Sequence, residues 1–123
     1  MKILIVEDED LAVKKLQKTL ALVDASAVVV GVTDSIKTTV EWLQGNPSPD
    51  LILMDIRLPG AQGNGWTAAK IIRNDPKLSH IPIIILTAGT MSTSKEEEQR
   101  YEAYIQKPFH VRDMLECIRA YLI

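Results

Sequence analysis

Only one cysteine, Cys117, occurs in the 123 residues, so no internal disulfide can form. That fits a reducing compartment. Cys117 lies among apolar residues and is expected simply to pack. Charge of one sign is also scarce in excess. Fourteen basic and sixteen acidic residues leave a net charge of −2, which argues against an electrostatic nucleic-acid binder. Long apolar runs are missing too. The N-terminal run Met1-Lys2-Ile3-Leu4-Ile5-Val6 is far too short for a signal peptide or a membrane span, and acids follow at once. There is no repeat, low-complexity tract or linker. One cytoplasmic domain over 1–123, with no membrane contact, is the simplest expectation. A chain of this length buries roughly two thirds of its unfolded surface and needs no metal or disulfide to fold.

What is present is five short apolar runs, at 2–6, 27–32, 51–54, 83–86 and 103–105. Isoleucine, valine and leucine dominate them, without polar alternation. That pattern suits parallel strands covered on both faces. Helical spacing separates the runs. Ala12, Val13, Leu16, Leu20 and Val23 share one helical face; so do Ile36, Val40 and Leu43, and later Val111, Met114, Leu115, Ile118 and Leu122. Gly45 with the following Asn46-Pro47-Ser48-Pro49 predicts one helix stop, and Asn74-Asp75-Pro76 another, for a helix beginning near Trp66. Residues 92–100 contain no apolar side chain. Ser94 and Glu97 could form a capping box there, so a short, loosely held helix is expected, fourth in chain order. Strand–helix alternation of this kind predicts an open α/β sheet with helices on both faces.

Polar groups sit where the apolar runs stop. Asp55 ends the third run, Glu7 and Asp8 follow the first, Thr87 follows Leu86, and Lys107 follows Ile105-Gln106. If the strands are parallel, these ends meet at one edge of the sheet. In the order 2-1-3-4-5, the first and third strands flank the topological switch point, where ligands bind. Two carboxylates ~4 Å apart repel by about 4 kcal/mol at an effective dielectric near 20, so three of them call for a counter-charge. Mg²⁺, an oxygen-seeking octahedral cation, suits them. A carboxylate nucleophile in that setting can accept a phosphoryl group, with metal and lysine offsetting the charge on its oxygens. Taken singly, each group has a plainer role: Asp55 as a turn residue, the acids 7–10 as helix caps, Lys107 as a solvated turn residue, Thr87 and Tyr104 as strand residues.

Four segments together resemble the receiver domain of bacterial two-component response regulators. They are Ile3-Leu4-Ile5-Val6-Glu7-Asp8-Glu9, Asp50-Leu51-Ile52-Leu53-Met54-Asp55-Ile56-Arg57-Leu58-Pro59-Gly60, Ile83-Ile84-Ile85-Leu86-Thr87-Ala88 and Tyr104-Ile105-Gln106-Lys107-Pro108-Phe109. The resemblance covers nearly the whole chain. It implies a flavodoxin-like, doubly wound, five-stranded parallel sheet of order 2-1-3-4-5. Receivers are themselves a standing example of the switch-point rule, so that rule is applied to this chain and not inferred from it. The resemblance further implies that Asp55 accepts phosphate from a histidine kinase or phosphotransfer protein. Asp8, Asp55 and the Arg57 backbone carbonyl would ligate Mg²⁺, with Glu7 acting directly or through water. Lys107 would pair with the acid and then with the phosphoryl group. Thr87 would move toward that group, Tyr104 would turn inward, and a downstream protein target would sense the change. No direct nucleic-acid binding is implied, enzymatic activity is confined to the domain's own phosphorylation and dephosphorylation, and the oligomeric state stays open. The Lys107–Pro108 bond would be cis.

The chain departs from the pattern in two places. The loop 58–66 is about two residues longer than usual and holds Gly60, Gly63 and Gly65, and the stretch from Thr87 to Lys107 is about two residues shorter. Segments 34–43 and 46–50 resemble receivers that precede LytTR-type DNA-binding domains, whereas the second half resembles single-domain receivers or those fused to hybrid kinases. A stand-alone receiver is the main expectation. The alternatives are the N-terminal receiver of a larger DNA-binding regulator and a receiver-like scaffold that no longer takes phosphate. A haloacid dehalogenase-type phosphohydrolase is disfavoured because Arg57 stands where that class places a second aspartate. A flavodoxin-like cofactor binder is disfavoured because Glu7-Asp8-Glu9-Asp10 would repel a phosphate.

Overall fold

A computed structural model describes residues 1–55, 65–87, 103–106 and 110–121. Its elements in chain order are β1 (Lys2–Val6), α1 (Asp10–Val23), β2 (Val28–Thr33), α2 (Ile36–Gly45), β3 (Leu51–Asp55), α3 (Gly65–Asn74), β4 (Ile83–Thr87), β5 (Ala103–Gln106) and α4 (Val111–Tyr121). All five strands are parallel, in the order β2-β1-β3-β4-β5. This is the expected doubly wound sheet. The expected helix over 92–100, the long loop 58–64 and the Lys107–Pro108 bond lie outside the described residues.

The absence of polar alternation in the strands has a direct explanation. Successive side chains of β1, β3 and β4 point to opposite faces, and both faces are dry. Leu4, Val6, Ile52, Met54, Ile83 and Ile85 form one core with Leu43 of α2 and Ala68, Ala69 and Ile72 of α3. Ile3, Ile5, Leu51, Leu53, Ile84 and Leu86 form the other with Leu16 and Leu20 of α1 and Met114 and Ile118 of α4. The period of two decides which core a residue joins. Cys117 is half-buried against the second core, and burial pushes its thiol up from the ordinary range, as a packed cysteine requires. Among the described residues, no helix is long and apolar enough to cross a membrane.

The second helix stops at Gly45 as expected, whereas the start of the first departs from expectation. Gly45 is the last residue of α2 and does not form a left-handed cap. Asn46 is extended there, and its Nδ2 donates to the Trp42 carbonyl at 2.9 Å, satisfying an end carbonyl that a glycine cap would otherwise serve. Glu9 occupies the N-cap of α1 without a side-chain cap bond, so its expected capping role is not realised by the carboxylate; Asp10 stands in the acid-favouring first turn. At the other end of the fold, Arg73 in the last turn of α3 donates through Nη1 to the carbonyls of Ser79 at 2.9 Å and Ile81 at 2.7 Å. That ties the α3–β4 connection to the helix and fixes where β4 begins.

Gly31 shows how closely α2 lies on β2. A Cβ at this position would meet Trp42 Nε1 at 2.5 Å and Cε2 at 2.7 Å. Glycine ordinarily weakens a strand, so Gly31→Ala would be expected to stabilise it. The indole reverses that sign. Gly31→Ala is expected to destabilise by about 1–3 kcal/mol in thermal or urea unfolding, and by much less when Trp42 is first shortened to Leu. An unchanged or raised midpoint in Gly31→Ala would show that the indole moves aside freely.

Candidate functional site

Strand register positions the acids. Val6 of β1 pairs with Met54 of β3, so Glu7 leaves β1 level with Asp55, the last residue of β3. Asp55 pairs with Leu86, and Leu86 with Ile105. The carboxyl ends of β1, β3, β4 and β5 therefore reach one edge of the sheet, beside the switch between β1 and β3. Hydrophobic rows beneath that edge hold the strands at a common height, and the first polar residues beyond the rows are the ones gathered there.

Glu7, Asp8 and Asp55 each present a carboxylate oxygen, and these oxygens lie within 4.8 Å of one another. Glu7 is 2% exposed and Asp55 8% exposed, whereas Asp8 is open to solvent. The site is thus a floor of two sheltered carboxylates with one exposed acid at the rim. Buried carboxylates are costly unless partnered, and both Glu7 and Asp55 have partners. Glu7 Oε1 accepts a long bond, 3.4 Å, from the Glu9 amide, and the Glu7 amide donates to the Thr33 carbonyl at 2.9 Å.

The donor set fits a hard divalent cation. It offers oxygen alone, with neither imidazole nor thiolate, which favours Mg²⁺ or Ca²⁺ over zinc. The fit comes from the residues themselves, since acids this close repel one another.

The structure brings together three of the residues singled out from the sequence: Glu7, Asp8 and Asp55. Thr87 ends β4 and pairs in register with Gln106, which places its backbone at the same edge; its side chain lies outside the described residues. Lys107 and Arg57 lie outside them as well. Tyr104 is on the edge strand β5, one register row behind Asp55, and the residue is 52% exposed. The inward position that the resemblance implies for it after phosphorylation is therefore not the one seen here.

Sequence reasoning missed a cluster of hydroxyls next to the acids. Thr39 and Thr33 are the buried polar residues at the start of α2 and the end of β2, at 0% and 6% exposure. Their hydroxyls are 2.8 Å apart, and Thr39 Oγ1 donates to the Ser35 carbonyl at 2.6 Å. Ser35 and Thr38 cap α2 reciprocally. The helical pattern pointed to Val40 as the core residue of this turn, yet the fully buried side chain is Thr39. The available signal was the density of hydroxyls in Thr33-Asp34-Ser35-Ile36-Lys37-Thr38-Thr39.

Comparison with known proteins agrees with this geometry. The polar-differentiation response regulator DivK of Brucella suis is 37% identical over 122 residues, covering 98% of this chain and 94% of that protein. The N-terminal domain of a response regulator/sensory box/GGDEF three-domain protein from Carboxydothermus hydrogenoformans is 29% identical with a TM-score of 0.81, covering 99% of this chain and 94% of that one. The receiver domain of a sensor histidine kinase from Pseudomonas aeruginosa PAO1 is 26% identical with a TM-score of 0.81, covering 98% of this chain and 95% of that one, and its structure has a magnesium ion coordinated in the active site cleft. The sequence profile of the response regulator receiver domain matches residues 3–119. With the sheet order, the acidic edge and these matches in agreement, the chain belongs to the response regulator receiver domain family.

Proposed function

We propose that residues 1–123 form a single receiver domain that takes a phosphoryl group on Asp55 and works in the cytoplasm. Receiver domains are signalling domains and not classical enzymes. The observation that carries the proposal is the convergence of Glu7, Asp8 and Asp55 within 4.8 Å at the switch point of the sheet. A sheltered strand-end carboxylate gains nothing for folding from two like-charged neighbours, which makes a chemical role the better account.

In the proposed reaction, a carboxylate oxygen of Asp55 attacks the phosphorus of a phosphohistidine on a histidine kinase or phosphotransfer protein. The new O–P bond forms as the P–N bond breaks, and the electron pair returns to the imidazole nitrogen. Glu7, Asp8, Asp55 and the Arg57 carbonyl would hold Mg²⁺, which supplies positive charge where the phosphoryl oxygens gather it. The exposed carboxylate of Asp8 leaves the rim open to a donor. Lys107, one residue beyond β5, is assigned to the phosphoryl oxygens, as is the Thr87 hydroxyl. The added charge and acceptor oxygens then favour the conformation in which Thr87 and Lys107 reach them and Tyr104 turns inward, and a downstream protein reads the changed face.

The test uses a small-molecule phosphodonor such as acetyl phosphate, with and without Mg²⁺, read by intact-protein mass. Gain of one phosphoryl group in Mg²⁺, and its loss on chelation, is the expected result. Retention of full uptake after chelation would reject the metal assignment, and no uptake in either condition would reject the phosphoacceptor role.

A further inference from the structure

The acidic edge is braced from β2, a strand that contributes no carboxylate to it. The Glu7 amide donates to the Thr33 carbonyl, extending the β1–β2 ladder one residue past Val6. On its side-chain end, Thr33 meets the Thr39 hydroxyl at 2.8 Å. Thr39 Oγ1 sits 2.6 Å from the Ser35 carbonyl, which can only accept, so the Thr39 proton is committed there. The direction of the chain follows. Thr33 donates to Thr39, and Thr39 donates to Ser35. Both threonines are buried and no solvent competes for these bonds. Ser35 is in turn locked by its reciprocal cap with Thr38. One continuous path of hydrogen bonds therefore runs from the first turn of α2, through the last residue of β2, to the backbone of a carboxylate in the site. Either threonine could have been alanine or valine if filling space were all the position required; valine matches the shape and omits the polar atom that must be satisfied.

We infer that Thr33 and Thr39 are positioning residues for the cation site: the buried Thr33–Thr39–Ser35 hydroxyl chain sets the height at which β1 delivers Glu7 and so tunes divalent-cation affinity from outside the ligand set. The inference rests on the proposed Mg²⁺ site. Removing the Thr39 hydroxyl leaves the Thr33 hydroxyl without its acceptor in a dry pocket, and removing the Thr33 hydroxyl breaks the same link from the other side while Thr39 keeps its bond to Ser35. Thr33 then relaxes, and Glu7 moves with its carbonyl. Outer partners of metal ligands commonly change affinity by 10–100-fold, and this chain acts one bond further out, so a weakening of about 3–10-fold is expected.

The experiment titrates Mg²⁺ alone into the full chain and follows backbone amide NMR shifts of residues 5–9, with melting temperature in chelator recorded alongside. Thr39→Val and Thr33→Val are each expected to raise the Mg²⁺ Kd about 3–10-fold, and the double variant no more than the worse single one, because the two hydroxyls act as one chain. Thr39→Ser keeps the hydroxyl and is expected to restore the affinity. Thr19→Val is the control. That threonine is also buried and its hydroxyl also donates to a helix carbonyl, Lys15 at 2.9 Å, but on α1. It should lower the melting temperature without moving Kd. Unchanged Kd in both valine variants, with normal Mg²⁺ binding by the unsubstituted chain, overturns this inference alone. Equal weakening by Thr19→Val overturns it as well, by reducing the effect to general destabilisation. No Mg²⁺ binding by the unsubstituted chain removes the cation site and this inference together.

Discussion

Asp55→Asn is expected to abolish phosphoryl uptake and, in the absence of divalent cations, to make the protein more stable. The first effect follows from the nucleophile: an amide oxygen carries no charge to attack phosphorus, and the neighbouring Glu7 and Asp8 follow β1 and do not stand at the end of β3. The second follows from electrostatics. At the separation seen among these oxygens, within 4.8 Å, a pair of unit charges repels by roughly 3–4 kcal/mol at an effective dielectric near 20. Glu7 and Asp55 are both buried, so solvent screens that pair little, whereas Asp8 is exposed and screened more. Both buried acids also have interaction partners, and Asn would change those of Asp55. The net gain is therefore smaller than the raw repulsion, about 1–2 kcal/mol. Millimolar Mg²⁺ should then stabilise the unsubstituted chain by mass action and Asp55→Asn much less, narrowing or inverting the difference. Unfolding curves with chelator and with Mg²⁺ measure both parts. A variant that still takes phosphate, or one that melts lower than its parent in chelator, contradicts this account of the site.

Leu53→Ala should produce the largest loss of stability of any single change considered. Leu53 is fully buried in the central strand β3, in the core formed with Leu16 and Leu20 of α1 and Met114 and Ile118 of α4. Its neighbours belong to a regular sheet and two helices, which cannot collapse into the space left behind. Leucine-to-alanine changes at such positions cost about 3–5 kcal/mol, transfer and cavity terms together. Against a total of roughly 5–15 kcal/mol for a domain, that is a large fraction. The melting temperature should fall by roughly 10–20 °C. Leu53 is also two residues before Asp55, so Mg²⁺ affinity measured well below the melting temperature separates damage to the core from damage to the site. Near-native affinity with a much lower melting temperature is the expected combination. A drop of under about 1 kcal/mol would mean the core repacks far more readily than close-packed interiors do.

The two experiments divide the molecule as its physics does. Strands β1, β3 and β4 are held by apolar faces on both sides, and the polar residues at their carboxyl ends are brought together because the strands end together. Stability is lodged in the rows below the edge, chemistry in the residues just past it. A variant in the rows should lower melting and spare binding; one at the edge should lose binding without lowering melting in chelator.

Much of this was legible in the chain. Unbroken apolar runs of four or five residues point to strands covered on both faces, and the helical spacing between them points to a parallel sheet. Asp55, Glu7 and Asp8 stood out because an acid directly after such a run has no packing reason to be there. Less was legible where one side chain could serve two ends. The turn at 36–40 has Ile36, Thr39 and Val40 within reach of the sheet, and apolarity favoured Val40. The structure buries Thr39, because Thr33 on β2 and the Ser35 carbonyl give its hydroxyl partners that only folding brings near. The same holds for Gly31, whose need to be glycine comes from an indole eleven positions later on α2.

Local pattern, then, determined the elements, their parallel sense and the acids at the strand ends, since those depend on periodicity and on residue chemistry carried by neighbours in the chain. Tertiary structure alone decided which oxygens come within one cation's reach, which acids are sheltered and which exposed, and how α2 braces β1 through two threonines. These are properties of register and burial, set by contacts between residues far apart in sequence, where no short-range pattern reaches.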